Sequence, residues 1–258
     1  MAFSDILNGV TTSGIETLPF LHSCDAYHFR EILKSQKLSP TLCDVFNLKY
    51  LYMYYGIPSY RKAGMKPTGL YAYYPVCFII NINYVNTLTP KRLFPFDSGA
   101  FKKMTEIKEK YFYPEMEAEH FEIIPDIDNA KKLISKFYQS NANYIEKNVQ
   151  VKNGDISSMN FEAQSYLSLI SDNTETKFDN RVATIEFILD QELKLTEDSI
   201  FNIILPQVFL DDDEVSKWLI KLNIQTPITY STIKTSPGDF FTVIYDRYCE
   251  CLKNNGLM

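Results

Sequence analysis

Apolar positions along the chain switch between two periods. Leu18-Pro19-Phe20-Leu21-His22-Ser23 is a short apolar run that closes on a polar pair, as a strand does. From residue 26 to 36 the spacing turns helical. Phe29, Ile32 and Leu33 share one face, and Ser23 or Asp25 is placed to cap it. Residues 48–55 are dense in aromatic strand formers and are closed by Gly56 and Pro58. The continuous apolar run at 76–82 predicts a central strand buried on both faces. Helix-compatible spacing then dominates at 101–110, 129–139 and 161–169, with loops around 113–128 and 152–158. Strand patterning returns at 181–189 and 200–205. A capped helix at 211–223, a short strand at 227–230 and a terminal helix at 240–253 follow. Residues 1–17 read as a loosely structured lead-in.

Regular strand–helix alternation is missing from this order, which disfavours a doubly wound sheet or an eight-fold barrel. The expectation is one α+β domain over residues 1–258, with a helical insertion at about 100–175. Hydrophobic residues are 45% of the 258, enough for a sizeable core, and aromatic residues are 14%. The formal net charge of −6 carries no basic footprint over the whole surface. No uncharged apolar stretch of about 18 residues occurs, so no membrane span is expected. The first residues lack a secretory pattern, and a cytoplasmic location is expected. Five cysteines make an odd, scattered set, which argues against a disulfide framework. With three histidines and no CxxC or HExxH spacing, no metal site is expected.

Several common chemistries lack their residues. No GxGxxG or GxxxxGK[ST] cradle is present, nor a GxSxG elbow. The acidic run Asp211-Asp212-Asp213-Glu214 suits the start of a helix, where the dipole favours negative charge.

Three segments stand out together. They are Leu21-His22-Ser23 with its following helix, Tyr54-Tyr55-Gly56-Ile57-Pro58-Ser59-Tyr60-Arg61, and Arg181-Val182-Ala183-Thr184-Ile185-Glu186-Phe187. In these pieces the chain resembles the ADP-ribosyltransferases, in particular the DarT-type toxins that modify nucleic acid. The resemblance covers about half the chain. It implies an α+β core built on a split β-sheet, with NAD as the consumed substrate and no metal. A strand-end His and Ser, here His22 and Ser23, would start the NAD site. Aromatic residues on a second strand, Tyr54 and Tyr55, would stack on nicotinamide. Gly56, Tyr60 and Arg61 would follow in the turn, and Glu186 would do the chemistry. Ser35-Gln36-Lys37-Leu38 departs from the family's habit of a Gly before the Leu that follows the first helix.

The same residues carry a physical argument without the resemblance. Breaking the nicotinamide–ribose bond creates an oxocarbenium-like centre, which a fixed carboxylate stabilises. Glu186 interrupts an apolar strand, where an unpartnered carboxylate is costly. It faces a cleft, pairs with Arg181, or lies on a solvated edge. His22 can hydrogen-bond ribose or a backbone carbonyl. Successive strand residues face opposite sides, so one of Tyr54 and Tyr55 is a candidate core residue. Arg61 is a phosphate donor. If the site is real, His22, the 54–61 turn and Glu186 converge on one cleft.

Residues 92–101 form a further unusual segment, RLFPFDSGAF. It reads as a turn with Ser98 as N-cap of the next helix, or as a lid over the NAD cleft. The acceptor implied is nucleic acid, protein or water. Lys102, Lys103, Lys108 and Lys110 offer a local basic patch, interleaved with Glu106 and Glu109. The alternative function is a non-catalytic nucleotide-sensing or interaction module of a bacterial toxin or anti-phage defence system. Such a setting brings an antitoxin or defence-system partner.

Overall fold

Alternating and continuous apolar runs assemble around one sheet in a computed structural model. It describes residues 2–43, 45–59, 68–103, 105–172, 183–233 and 236–258. After a 3-10 turn at Phe3–Leu7 come β1 (Phe20–Asp25), α1 (Ala26–Ser35), β2 (Lys37–Leu38), β3 (Thr41–Cys43) and β4 (Leu48–Tyr55). Next are β5 (Pro75–Ile80), α2 (Ile82–Val85) and β6 (Arg92–Phe94). Among the described residues the helical segments α3 (Ser98–Lys103), α4 (Thr105–Tyr111), α5 (Ile127–Phe137), α6 (Asn141–Ile145) and α7 (Phe161–Ser171) then follow. The chain closes with β7 (Glu186–Leu189), β8 (Leu193–Lys194), β9 (Ile200–Pro206), α8 (Asp213–Lys221), β10 (Ile228–Tyr230) and α9 (Phe240–Asn254).

The sheet order is β10-β9-β5-β1-β4-β7-β6, with β3 added to β4 and a separate β2–β8 ribbon. The pairings are antiparallel except β9–β10, whose parallel partners are joined by the α8 crossover. The architecture is therefore α+β with a mostly antiparallel open sheet.

One seam of this sheet is short. β1 pairs with β5 along five residues, Leu21↔Ile79 through Asp25↔Pro75. It pairs with β4 only at Phe20↔Tyr55 and Leu21↔Tyr54. Beyond Leu21, β1 stays with β5 while β4 stays with β7, which it pairs from Leu51↔Leu189 to Tyr54↔Glu186.

All six residues of β5 are buried, as the apolar run predicts. Phe78 of β5 packs near Phe29 of α1 and Trp218 of α8, at ring distances of 6.0 and 6.2 Å. Asp25 caps α1 by accepting from His28 N–H. Across the seam, Phe20, Tyr55 and Phe187 form a second aromatic group, with Phe20 and Phe187 at 4.7 Å.

The structure adds to or differs from the sequence expectation in several places. The lead-in is part of the core: Phe3, Leu7, Ile15 and Leu18 are buried, and Phe3 packs on Phe121 and Tyr166. The helix expected over 101–110 is met within the described residues by α3 and α4, which lie on either side of residue 104. The loop at 113–128 holds a 3-10 turn, Ala118–Phe121, anchored by buried Phe121. The strand expected over 181–189 begins at Glu186 within the described residues. Just before it, Ile185 N–H donates to Tyr144 Oη and Ile185 C=O accepts from Tyr55 N–H.

Candidate functional site

Three segments far apart in sequence lie on three adjacent strands. Leu21 of β1 stands opposite Tyr54 of β4, and Tyr54 stands opposite Glu186 of β7. Phe94 of β6 stands opposite Glu186 on its other side. Directly opposed side chains share a face, so Leu21, Tyr54, Glu186 and Phe94 line one side of the sheet.

Glu186 is 1% exposed. Its Oε2 accepts from Ser98 N–H at 3.1 Å and from Ser98 Oγ at 2.7 Å. Burial first, then the neighbouring Asp97 carboxylate, push the Glu186 carboxyl well above the usual carboxylate range; the Ser98 donors oppose this. Asp97 is buried as well. Its Oδ2 accepts from Tyr54 Oη at 2.7 Å and its Oδ1 from Ala100 N–H at 2.6 Å. The cap of α3 is therefore Asp97, and Ser98, expected in that role, serves Glu186 instead. The reason is spatial: the turn after β6 lies over the start of β7, so the serine hydroxyl meets a buried carboxylate.

Tyr52, two residues before Tyr54, faces the same side. Its hydroxyl donates to Cys43 Sγ at 2.5 Å. Burial raises the Tyr52 phenol far above its ordinary range, helped by Cys43, Glu186 and Asp97. The cluster thus combines two buried carboxyl groups, two tyrosines, a serine and a thiol.

His22 follows Leu21 and so leaves β1 toward the opposite face from Glu186. Its ring sits where β1 and β4 part, and Nδ1–H donates to the Tyr52 carbonyl at 3.0 Å. Burial lowers the His22 pKa below its ordinary value, so the ring is neutral at physiological pH. Ser23 returns to the Glu186 face. Its hydroxyl is buried without a conventional hydrogen-bond partner, beside the Cys77 thiol that stands opposite it. A thiol is a weak hydrogen-bonding group, so this contact leaves the Ser23 hydroxyl poorly satisfied.

Tyr55 is wholly buried, and its hydroxyl accepts from Leu18 N–H at 3.0 Å. That makes it the core member of the Tyr54–Tyr55 pair. Gly56 adopts φ +69°, and a Cβ there would come within 2.3 Å of Leu18 Cδ1, so this turn needs glycine. Tyr60, Arg61 and Arg181 lie outside the described residues. The structure thus brings Tyr54 and Glu186 together and turns His22 and Tyr55 away, so the convergence of His22 and Glu186 expected from the sequence is not met; Ser23 shares the side of Leu21 along β1, where it lies against Cys77 of β5. Asp97 was visible in the sequence only as part of an unusual turn. Its contact with Tyr54 spans 43 residues and carries no local signal.

Three lysines of the patch are paired; the side chains of Lys103 and Glu106 lie outside the described residues. Lys102 meets Glu119, Lys108 meets Glu117 and Lys110 meets Asp172, at 3.4, 3.4 and 2.6 Å. Among the described residues no group of three or more His, Cys, Asp or Glu is placed to hold a metal ion, and no helix is long and apolar enough to cross a membrane. A surface groove of about 600 Å³, lined by Lys37, Glu192, Lys194 and Lys221 among others, belongs to the β2–β8 ribbon rather than to the carboxylate cluster. No family model, curated protein or solved structure matches this chain.

Proposed function

We propose that this chain is an NAD-consuming ADP-ribosyltransferase or NAD glycohydrolase, with Glu186 as the carboxylate that meets the ribosyl centre. The observation that carries the reading is the strand line Leu21–Tyr54–Glu186, which sets a tyrosine ring beside a buried carboxyl on one face. The parting of β1 from β4 beyond this line is consistent with a split-sheet core. Loss of nicotinamide leaves positive charge on the ribose, and a carboxylate in a dry site stabilises that charge. Tyr54 offers its ring to nicotinamide. Ser23, with its poorly satisfied hydroxyl on the Glu186 face, is the contribution of β1, and His22 holds the seam. The ADP-ribose acceptor is a nucleic acid, a protein or, for hydrolysis, water. Pairing of three lysines of the patch favours the latter two.

A second reading has its own support. His22 and Glu186 project from opposite faces, and Ser98 covers Glu186, as in a module that keeps the fold without turnover. Incubation with NAD, alone and with DNA, RNA or cell lysate, separates the two when free nicotinamide is measured. The transferase reading expects release, reduced on the order of 100-fold or more by Glu186→Gln. No release in any arm selects the non-catalytic module. Release unchanged by Glu186→Gln removes Glu186 from the chemistry.

A further inference from the structure

We propose that Asp97-Ser98 is a positioning pair, in which Ser98 orients the Glu186 carboxyl while Asp97 fixes the Tyr54 ring, so that one turn sets the spacing between acid and ring. The proposal rests on the reading of Glu186 and Tyr54 as the reacting face.

The backbone ladder brings Tyr54 and Glu186 side by side, but it does not set their side-chain rotations. One dipeptide contacts both side chains. Both Ser98 donors converge on a single oxygen, Oε2. Among the described residues Oε1 receives no hydrogen bond, which leaves that oxygen for a substrate hydroxyl. The adjacent residue, Asp97, grips the Tyr54 hydroxyl with one oxygen and the first turn of α3 with the other.

The turn carrying the pair is itself held at several points. Phe94 is laddered to Glu186, the Pro95 carbonyl accepts from Tyr166 Oη at 3.3 Å, and the Phe96 and Phe101 rings stack at 5.2 Å. Rigid second-layer support of this kind is what keeps a reacting group in its productive geometry.

The two members act on Glu186 in opposite senses. Ser98 donates to the charged form and favours it, whereas the Asp97 charge disfavours it. The other polar groups facing Glu186 are Tyr52 and Tyr54 from β4 and Cys43 from β3. Phe94 of β6 is apolar.

The test is a ¹³C-carboxyl NMR titration of the full chain labelled at glutamate, with Glu186→Gln identifying the resonance. Ser98→Ala moves the Glu186 midpoint to higher pH and Asp97→Asn moves it to lower pH. Ser98→Thr, which keeps both donors, leaves it near the parent. In nicotinamide release, Ser98→Ala lowers kcat by about tenfold or more with KM for NAD within about twofold. The acidic limb of kcat follows the titration in each variant, because the ionised carboxylate is the active form. Midpoints that do not move, or that move in one direction for both variants, overturn the proposal. Opposed midpoints without any nicotinamide release leave the positioning pair standing and overturn the transferase reading instead.

Discussion

On one side of the β1–β4 seam, β10, β9, β5 and β1 bury a mostly apolar layer, with the uncharged Ser199 just before β9 and His22 and Ser23 at the seam. On the other side, β4, β7 and β6 bury Glu186, together with Thr184 just before β7 and Asp97 and Ser98 just beyond β6. The first half is held by non-directional packing, as between Phe78, Phe29 and Trp218. The second half must offset the desolvation of carboxyl groups with aimed donors. The contrast separates a scaffold from a region whose polar groups cost stability, a cost commonly met where function needs it.

The largest expected effect lies in the scaffold. Phe78→Ala removes a wholly buried ring from β5 and is expected to cost about 3–5 kcal/mol, read from chemical denaturation. A loss below about 1 kcal/mol would mean that the apolar half does not carry the fold.

Glu186→Gln should act in the other direction. An acid whose carboxyl is raised in the folded state stabilises the fold at low pH, and that contribution is lost as pH rises from the ordinary value of 4.5 through the raised one. The parent therefore loses stability with rising pH over that window, and the variant does not. At neutral pH Glu186→Gln is expected to be more stable by on the order of 1 kcal/mol. Parallel pH–stability curves for the two proteins would contradict this.

His22 gives the smallest effect, with the opposite pH dependence. A histidine lowered in the folded state stabilises the fold at high pH, and this is lost as pH falls through the ordinary value of 6.5 toward the lowered one. His22→Gln should remove that acid-side slope and cost about 1 kcal/mol at neutral pH for the bond to Tyr52. Denaturation midpoints at pH 5 and pH 8 check both statements.

Much of the fold was legible because long, uniform runs encode it. The six-residue apolar β5, the Asp25-capped α1 and the aromatic β4 each announce their element locally. What was missed depends on distant partners. Phe3 and Leu7 are spaced by four but precede any long pattern, and Phe3 packs on Phe121 and Tyr166, more than 100 residues later. The three-residue β6 is too short for periodicity, and β7 begins only after Ile185, whose N–H is taken by the Tyr144 hydroxyl. At the site, Glu186 was conspicuous as a carboxyl in an apolar strand. The role of Ser98 was not, because its spacing before α3 fits a helix cap equally well. The face of His22 followed from register, which no single strand specifies.

The strand order also has a consequence for biosynthesis. β4, β1 and β5 all lie within the first 80 residues and can form a three-stranded core early during translation. The strands that flank it, β7 on β4 and β9 on β5, begin at residues 186 and 200. Until more than 100 further residues have left the ribosome, both margins of that nascent core expose unpaired backbone groups, a template for association between neighbouring nascent chains. Late synthesis therefore closes both of these edges, and the Glu186 ladder is completed in the same step.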